Sequence, residues 1–524
     1  MEINPPQTLA FLPEAASDFA SYPGAQTNAS AKEFLDRFPL PLIFSALQSE
    51  GDVFGLESTL VSCLERIFNT KYGASLIPQH MPFVQVGLQA YSQLVRCLAC
   101  KAVSCLLENV NEDTASAVQL VTEYDVYPLL VNCLIDGNEL VAAASMDAIL
   151  NLARFPDGIG IVFPTNTDEA MHLKNIAARC SSLARIRVLA LIAKLFSISS
   201  SVASAVYHSN LLGLLEAEAN DTNDMLMTLS AFELLCELAE SPHGTEFLIR
   251  TTLLQQLTSM ISNTSAEAIL RSRAILICGR LLSTDNLLTV ADESSVKTAL
   301  LAIDGRLELL KSQDTDECES ALEALGHIGS SNQGASLLLS SSSPAVRHVV
   351  EAAFDRQGRS KQLAALHALA NISGENRSRD SIMLNDDAEE FLRRLIYAAA
   401  AESPKLTPSG LFLSVLQQDS EIRLAAYRMI TGLVTRPWCL LEVCSKQEII
   451  NIVTDAHIET TKKGMEARYS CCTAINKALS ASNKVNDAAF SGIVSKLQEA
   501  VKRGPYLAKD LTEAQPAVMT AERF

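Results

Sequence analysis

An apolar residue closing a helical pattern returns about every 43 residues along almost the whole chain. It falls at Ile67, Val110, Leu152, Leu195, Leu238, Leu281, Ile328, Ile372, Leu433 and Ala478. The intervals run from 42 to 47, except for one of 61 between Ile372 and Leu433. A single hydrophobic core stops growing at roughly 250–300 residues, so a chain of 524 must divide into domains or extend as a stack. The regular period selects the stack. Each unit then buries its apolar faces only against its neighbours.

Local sequence agrees with the register. AILNLARFPDG, from Ala148 to Gly158, reads as a helix stopped by proline and glycine, and ELAESPHG, from Glu237 to Gly244, repeats the stop. Pro156 and Pro242 lie 86 apart, as do Gly158 and Gly244, which is twice the period. GLVTRPW, from Gly432 to Trp438, stops in the same way, with the lone tryptophan expected in the core. Proline cannot continue the backbone ladder, and glycine accepts the positive φ of a helix cap. Between Asp224 and Ser241, Leu229, Phe232, Leu234, Leu235, Leu238 and Ala239 cover most of the helix circumference. Ser230, Glu233, Glu237 and Glu240 remain as a narrow polar strip, as expected of a helix packed on both sides by adjoining repeats.

Repeats of about 40–47 residues with two or three helices are the signature of armadillo and HEAT arrays. The expected fold is therefore all-α: an armadillo/HEAT-type right-handed α-solenoid of about ten helical repeats. Residues 1–29, rich in proline, serine and alanine, are expected to be flexible. The solenoid is assigned to 30–506, opening near Ser30 and carrying an insert at about 374–418, and a flexible tail to 507–524.

Sixty acidic against forty-two basic side chains give a net charge of −18. That argues against nucleic acid or an anionic membrane as the main partner. The opening residues, with Glu2, Pro5, Pro6 and Pro13, lack the basic start and apolar run of a secretory signal, so a cytoplasmic location is expected, with the nucleus also open to it. The most apolar window, Gly87 to Leu107, contains Arg96 and Lys101 and reads as a buried helix, not a membrane span. Cys97 and Cys100 have the spacing of a zinc half-site, but with Cys105 they lack a second ligand pair and read as small buried hydrophobes. No HExxH spacing, GxSxG elbow, phosphate loop or dinucleotide fingerprint occurs. The expectation is a protein-binding chain with no cofactor, no metal and no catalytic function.

The residue just before each register position should project from the same helix of every repeat. AILNLA and ALANIS, around Asn151 and Asn371, resemble the ALxNLA signature of armadillo repeats. In nuclear-import adaptors of that class a continuous asparagine ladder with tryptophans holds an extended peptide. Here only Asn109, Asn151 and Asn371 are asparagine, and the tryptophan position holds residues such as Cys105, Asp147, Glu233, His367 and Arg428. An import-adaptor role is disfavoured. A mixed-charge strip takes the ladder's place: Arg187, Lys194, Glu233, Glu237, Arg273, Arg280 and Glu323, continued by His327, His367 and Asn371. On a concave wall it would suit a folded partner bearing both signs of charge; the other reading is a solvated face.

Three motifs suggest a family: HG at His243 and Gly244 before a short apolar run, RPW at Arg436 to Trp438, and GPY at Gly504 to Tyr506. With Leu411 and Phe412 after Pro408, the stretch from about 230 to 506 resembles the proteasome non-ATPase regulatory subunit 5 family. The resemblance implies a chaperone for assembly of the base of the proteasome regulatory particle. Its partner would be the C-terminal domain of a proteasomal AAA ATPase subunit, kept from premature docking on the core particle. It would leave before the holoenzyme matures and be absent from the mature proteasome. An armadillo-repeat adaptor or scaffold unrelated to the proteasome is the alternative the repeats allow.

Overall fold

A computed structural model describes residues 5–48, 55–109, 114–164, 172–221, 224–241, 243–284, 287–311, 313, 315–340, 345–378, 382–482 and 490–506. Glu2, Val110, Pro242, part of the insert at 379–381 and the tail 507–524 lie outside the described residues. The described residues form helices and no strand. They fall into two compact units, Met1–Thr251 and Thr252–Phe524.

The register is carried by ten helices. In the first unit these are α1 (Leu56–Phe68), α2 (Gln93–Glu108), α3 (Glu139–Leu152), α4 (Ser182–Phe196) and α5 (Met225–Glu240). In the second they are α6 (Ala268–Leu281), α7 (Asp316–Ile328), α8 (Arg359–Ile372), α9 (Ser420–Leu433) and α10 (Lys462–Ala481). Within each unit every one packs on the next. Ile67, Leu152, Leu195, Leu238, Leu281, Ile328, Ile372 and Leu433 are all fully buried, while Ala478 is half-buried. Seven of the ten starts have a side-chain cap: Ser92, Asn138, Ser181, Asp224, Thr315, Asp419 and Thr461 accept a backbone N–H of the first turn. The all-helical repeat architecture is thus built as the period requires. In α5 the apolar band is narrower than expected, since Leu229 and Leu234 are only half-buried, but Glu233, Glu237 and Glu240 do form an exposed strip.

The corners between helices differ from the sequence reading. Pro156 and Pro437 do not end the preceding helix; they occupy the first position of the next, Pro156–Val162 and Pro437–Ser445, where a missing N–H leaves no bond unmade. Gly158 and Gly244 do not have positive φ. Their role is close approach. A Cβ on Gly158 would lie 2.0 Å from the carbonyl oxygen of Leu152, and one on Gly244 1.9 Å from that of Leu238. Gly73 against Ile67 and Gly334 against Ile328 repeat the arrangement at 2.0 and 1.9 Å. In all four the glycine stands six residues after the register residue, so the short following helix lands directly on the end of the inner one.

Three further expectations are corrected. The amino-terminal segment is not loose: Pro5–Ser21 is a helix with Leu12 and Ala16 buried, Phe19 packs on Phe34 at 4.7 Å, and Arg66 donates to the Tyr22 carbonyl at 2.6 Å. Its successor, Asn28–Arg37, is capped by Thr27, with Ser30 as the reciprocal member of the capping box. The apolar window at 87–107 is two helices, because Ser92 caps α2 afresh and leaves Tyr91 wholly exposed between α2 and Met81–Leu88. Trp438 is half-buried, edge-on to Tyr397 at 5.8 Å, and its neighbour Arg436 is the core residue, only 1% exposed.

Arg436 explains the insert. Its Nε and Nη2 pair with both carboxylate oxygens of Glu389 at 2.6 and 3.0 Å, and its Nη1 donates to the carbonyls of Ser373 and Gly432. Glu389 belongs to the helix Asp386–Glu402, whose acidic first turn suits the positive end of the helix dipole. The helix Pro408–Leu416 follows, with Leu411 and Phe412 buried. Arg468, also 1% exposed, donates to the carbonyls of Val453 at 2.9 Å and Pro505 at 3.3 Å, so GPY is anchored from within the array.

Gly244→Ala should destabilise the protein by about 1–3 kcal/mol, because the methyl group cannot be placed without moving the corner. Gly160→Ala, within Pro156–Val162 with nothing near its Cβ position, should be neutral or stabilising. Chemical denaturation of both variants checks this; equal stability would remove the close-approach argument.

Candidate partner-binding surface

In the first unit, α1, α2 and α3 enclose a groove of about 570 Å³ lined by Glu65, Asn69, Lys101, Glu108, Asp147 and Asn151 among others. Several of its polar side chains are already paired across repeats. Lys101 meets Glu65 at 2.8 Å, Asn151 Nδ2 donates to Glu108 at 2.8 Å, and the Cys105 thiol donates to Asn69 Oδ1 at 3.5 Å. Asn151 therefore braces the wall, and exposed Asp147 and Arg154 present its charge. Cys97, Cys100 and Cys105 are buried on α2, and burial pushes the Cys105 thiol up to about 11. Among the described residues no group of three or more His, Cys, Asp or Glu side chains could hold a metal ion, and no helix is long and apolar enough to cross a membrane.

Farther along this unit, Lys194 on α4 and Glu233 and Glu237 on α5 are exposed. Arg187 has a different task. Its Nη1 donates to the carbonyls of Leu134, Ile135 and Gly137 at 2.8–3.2 Å, closing the C-terminal end of the helix Val126–Asp136. A cation there also complements the negative helix end.

In the second unit, Arg273 and Arg280 are half-buried on α6, and Glu323 and His327 stand one turn apart on α7. His327 Nε2 lies 3.4 Å from Glu323 Oε1; that bond first, and the nearby Arg280 charge after it, hold the Glu323 carboxyl below its ordinary range. His367 and Asn371 on α8 converge on Arg428 of α9. Arg428 donates to His367 Nδ1 at 2.7 Å, Asn371 Oδ1 at 3.2 Å and Glu375 at 2.8 Å. Arginine can only donate, so His367 must be the neutral tautomer with Nδ1 as acceptor. Burial, then the Arg428 charge, lower its pKa.

The register did not reveal the buried charges beneath this strip. Glu317 on α7 accepts from Arg271 at 2.9 Å on each oxygen and from Arg306 of the helix Glu293–Leu309 at 2.7 Å. Burial opposes its charge, but the two arginines outweigh it and hold the carboxyl below its ordinary range. Arg271 sits two residues before the predicted Arg273, and nothing in the period separates an inward from an outward arginine.

Glu317→Gln should cost about 3–5 kcal/mol at neutral pH, since it leaves two buried guanidinium groups unbalanced; a loss below about 1 kcal/mol by denaturant melting would contradict the triad's role. Because its folded pKa is depressed, its stabilisation is present above the ordinary carboxylate pKa and lost as pH falls through the folded value. His367 behaves likewise at higher pH: a lowered folded pKa means stability present above about 6.5 and lost on acidification. Melting temperature should therefore drop between pH 7 and 5, and His367→Gln, which can still accept from Arg428, should reduce that drop.

With this geometry in hand, comparison with known proteins is specific. Residues 26–523 match the family described as proteasome non-ATPase 26S subunit. The 26S proteasome non-ATPase regulatory subunit 5 of Bos taurus is 20% identical over 456 residues, covering 86% of each chain; that of Homo sapiens is 20% identical over 459 residues with the same coverage. The Mus musculus protein is 21% identical, covering 86% of this chain and 85% of its own. Among solved structures, an engineered protein aligns at 16% identity with a TM-score of 0.42, over 81% of this chain and 99% of that one. A designed armadillo repeat protein in complex with a (KR)4 peptide aligns at 15% identity with a TM-score of 0.37, over 50% of this chain and 99% of that one. The likeness carried by HG, RPW and GPY thus extends through the amino-terminal half, and the chain belongs to the proteasome non-ATPase 26S subunit family.

Proposed function

We propose that this chain is a chaperone for assembly of the base of the proteasome regulatory particle. It holds the C-terminal domain of an AAA ATPase subunit and is released before the mature proteasome forms. Membership of the proteasome non-ATPase 26S subunit family is the observation that carries the reading. The relatives' name supports a proteasome-related role, and their description as regulatory subunits, with a repeat scaffold, fits a non-enzyme.

The surfaces suit a reversible clamp. Lys194, Glu233 and Glu237 in one unit, and Arg273, Arg280, Glu323 and His327 in the other, carry both signs of charge on the register-bearing helices α4, α5, α6 and α7. Polar contacts of mixed sign steer a partner and select it without the large apolar burial of a permanent interface. Such a role needs no cofactor and places the chain in the cytoplasm, with the nucleus also open to it.

Affinity purification of the tagged chain, followed by mass spectrometry, should recover proteasomal ATPase subunits without the proteolytic core particle. Recovery of an unrelated set would return the chain to a general adaptor role. Arg273→Glu together with Arg280→Glu should weaken that capture about tenfold or more with helicity unchanged; undiminished capture would exclude this strip as the contact.

A further inference from the structure

The cavity beside the Arg271–Glu317–Arg306 triad lies where, among the described residues, two guanidinium groups share one buried carboxylate. It encloses about 900 Å³ at the N-terminal ends of α6 and α7, with Ile269, Leu276 and Leu310 as apolar lining and Arg271, Arg273 and Arg306 as basic lining. Two guanidinium groups share the one buried carboxylate, and both of its oxygens are engaged. Arg271 places its other terminal nitrogen on the carbonyls of Asn263 and Ala266. Arg306 differs: its Nε bond to Glu317 is the only hydrogen bond of its side chain among the described residues, which leaves both terminal nitrogens without a partner there. Yet the side chain is only 10% exposed. Asp316, the other carboxylate on the cavity wall, is exposed and makes no bond to Arg306.

A largely buried guanidinium whose terminal N–H donors open onto the cavity matches a carboxylate, which it can bind fork to fork. We propose that this cavity receives an acidic side chain from a partner protein, paired with the terminal nitrogens of Arg306, while apolar residues flanking that acid cover Ile269 and Leu276. The apolar half of the cavity distinguishes such a segment from a free oxyanion, which would leave it wet. The proposal rests on the partner-binding reading above but not on the partner's identity.

The test uses the full chain and two fluorescein-labelled probes, an alternating leucine–glutamate peptide and its leucine–glutamine counterpart, both capped at their ends. Fluorescence anisotropy should show the acidic peptide binding about tenfold more tightly, with the preference gone in Arg306→Gln. Equal binding of the two peptides to the unaltered chain overturns the proposal, and that comparison needs no variant to fold. A preference retained in a folded Arg306→Gln also overturns it, as does complete displacement of the acidic peptide by millimolar inorganic phosphate at constant ionic strength. Each of these failures would leave recovery of proteasomal ATPase subunits by affinity purification untouched, so the two readings fail separately.

Discussion

At four of the repeats the carbonyl oxygen near the end of the register helix is the point on which the next helix is seated, and the course of those repeats depends on how closely that seat is approached. At Ile67, Leu152, Leu238 and Ile328 the approaching residue is a glycine whose missing side chain lets two backbones meet. The corner then sets the direction of the short helix, which sets the outer helix, which sets where the following inner helix is laid. A repeat protein has no central core to correct an error of direction.

The inner faces built this way differ in how firmly their charges are held. Asn151, Arg187, His367 and Asn371 are committed to partners within the chain, where they brace one helix against another. Lys194, Glu233 and Glu237 are exposed, and Glu323 bonds His327 on its own helix within reach of the Arg280 charge. Exposed charges thus lie on the same helices as polar groups that are fixed within the chain. Under the proposed function the first kind would select the partner, while the second keeps the wall in shape.

Much of this was legible in the residues, and the failures have physical causes. The register survived because a residue buried between repeats must be apolar wherever it recurs, as eight fully buried positions attest. Pro156 and Gly158 were misread because proline and glycine occur both where a helix stops and where one begins under steric pressure; only the distance to the Leu152 carbonyl separates the cases. The amino-terminal helix was hidden by prolines, although Leu12, Ala16 and Phe19 have helical spacing. The positions of the charged strip could be read from the period, but not their partners. Arg187 bonds carbonyls about fifty residues earlier, and Arg428 is joined to Glu375 across 53 residues. No local pattern encodes such pairs. The trio of Arg271, Arg306 and Glu317 escaped for the same reason.

Those distant pairs bear on how the second unit comes apart. Arg271 to Glu317, Glu389 to Arg436 and Arg423 to Glu459 span 46, 47 and 36 residues, each close to one period, with Glu317, Glu459 and Arg436 almost wholly buried. Opening one of these repeats would strand a desolvated charge in its neighbour, which makes a boundary between folded and unfolded segments costly wherever one of these pairs crosses it. Modules that would otherwise fray one at a time are thereby tied to their neighbours at both ends of this unit, from Arg271 to Glu317 and from Glu389 to Glu459. Their amides would exchange together, and a clamp of this kind would release its cargo as a whole instead of peeling away by degrees.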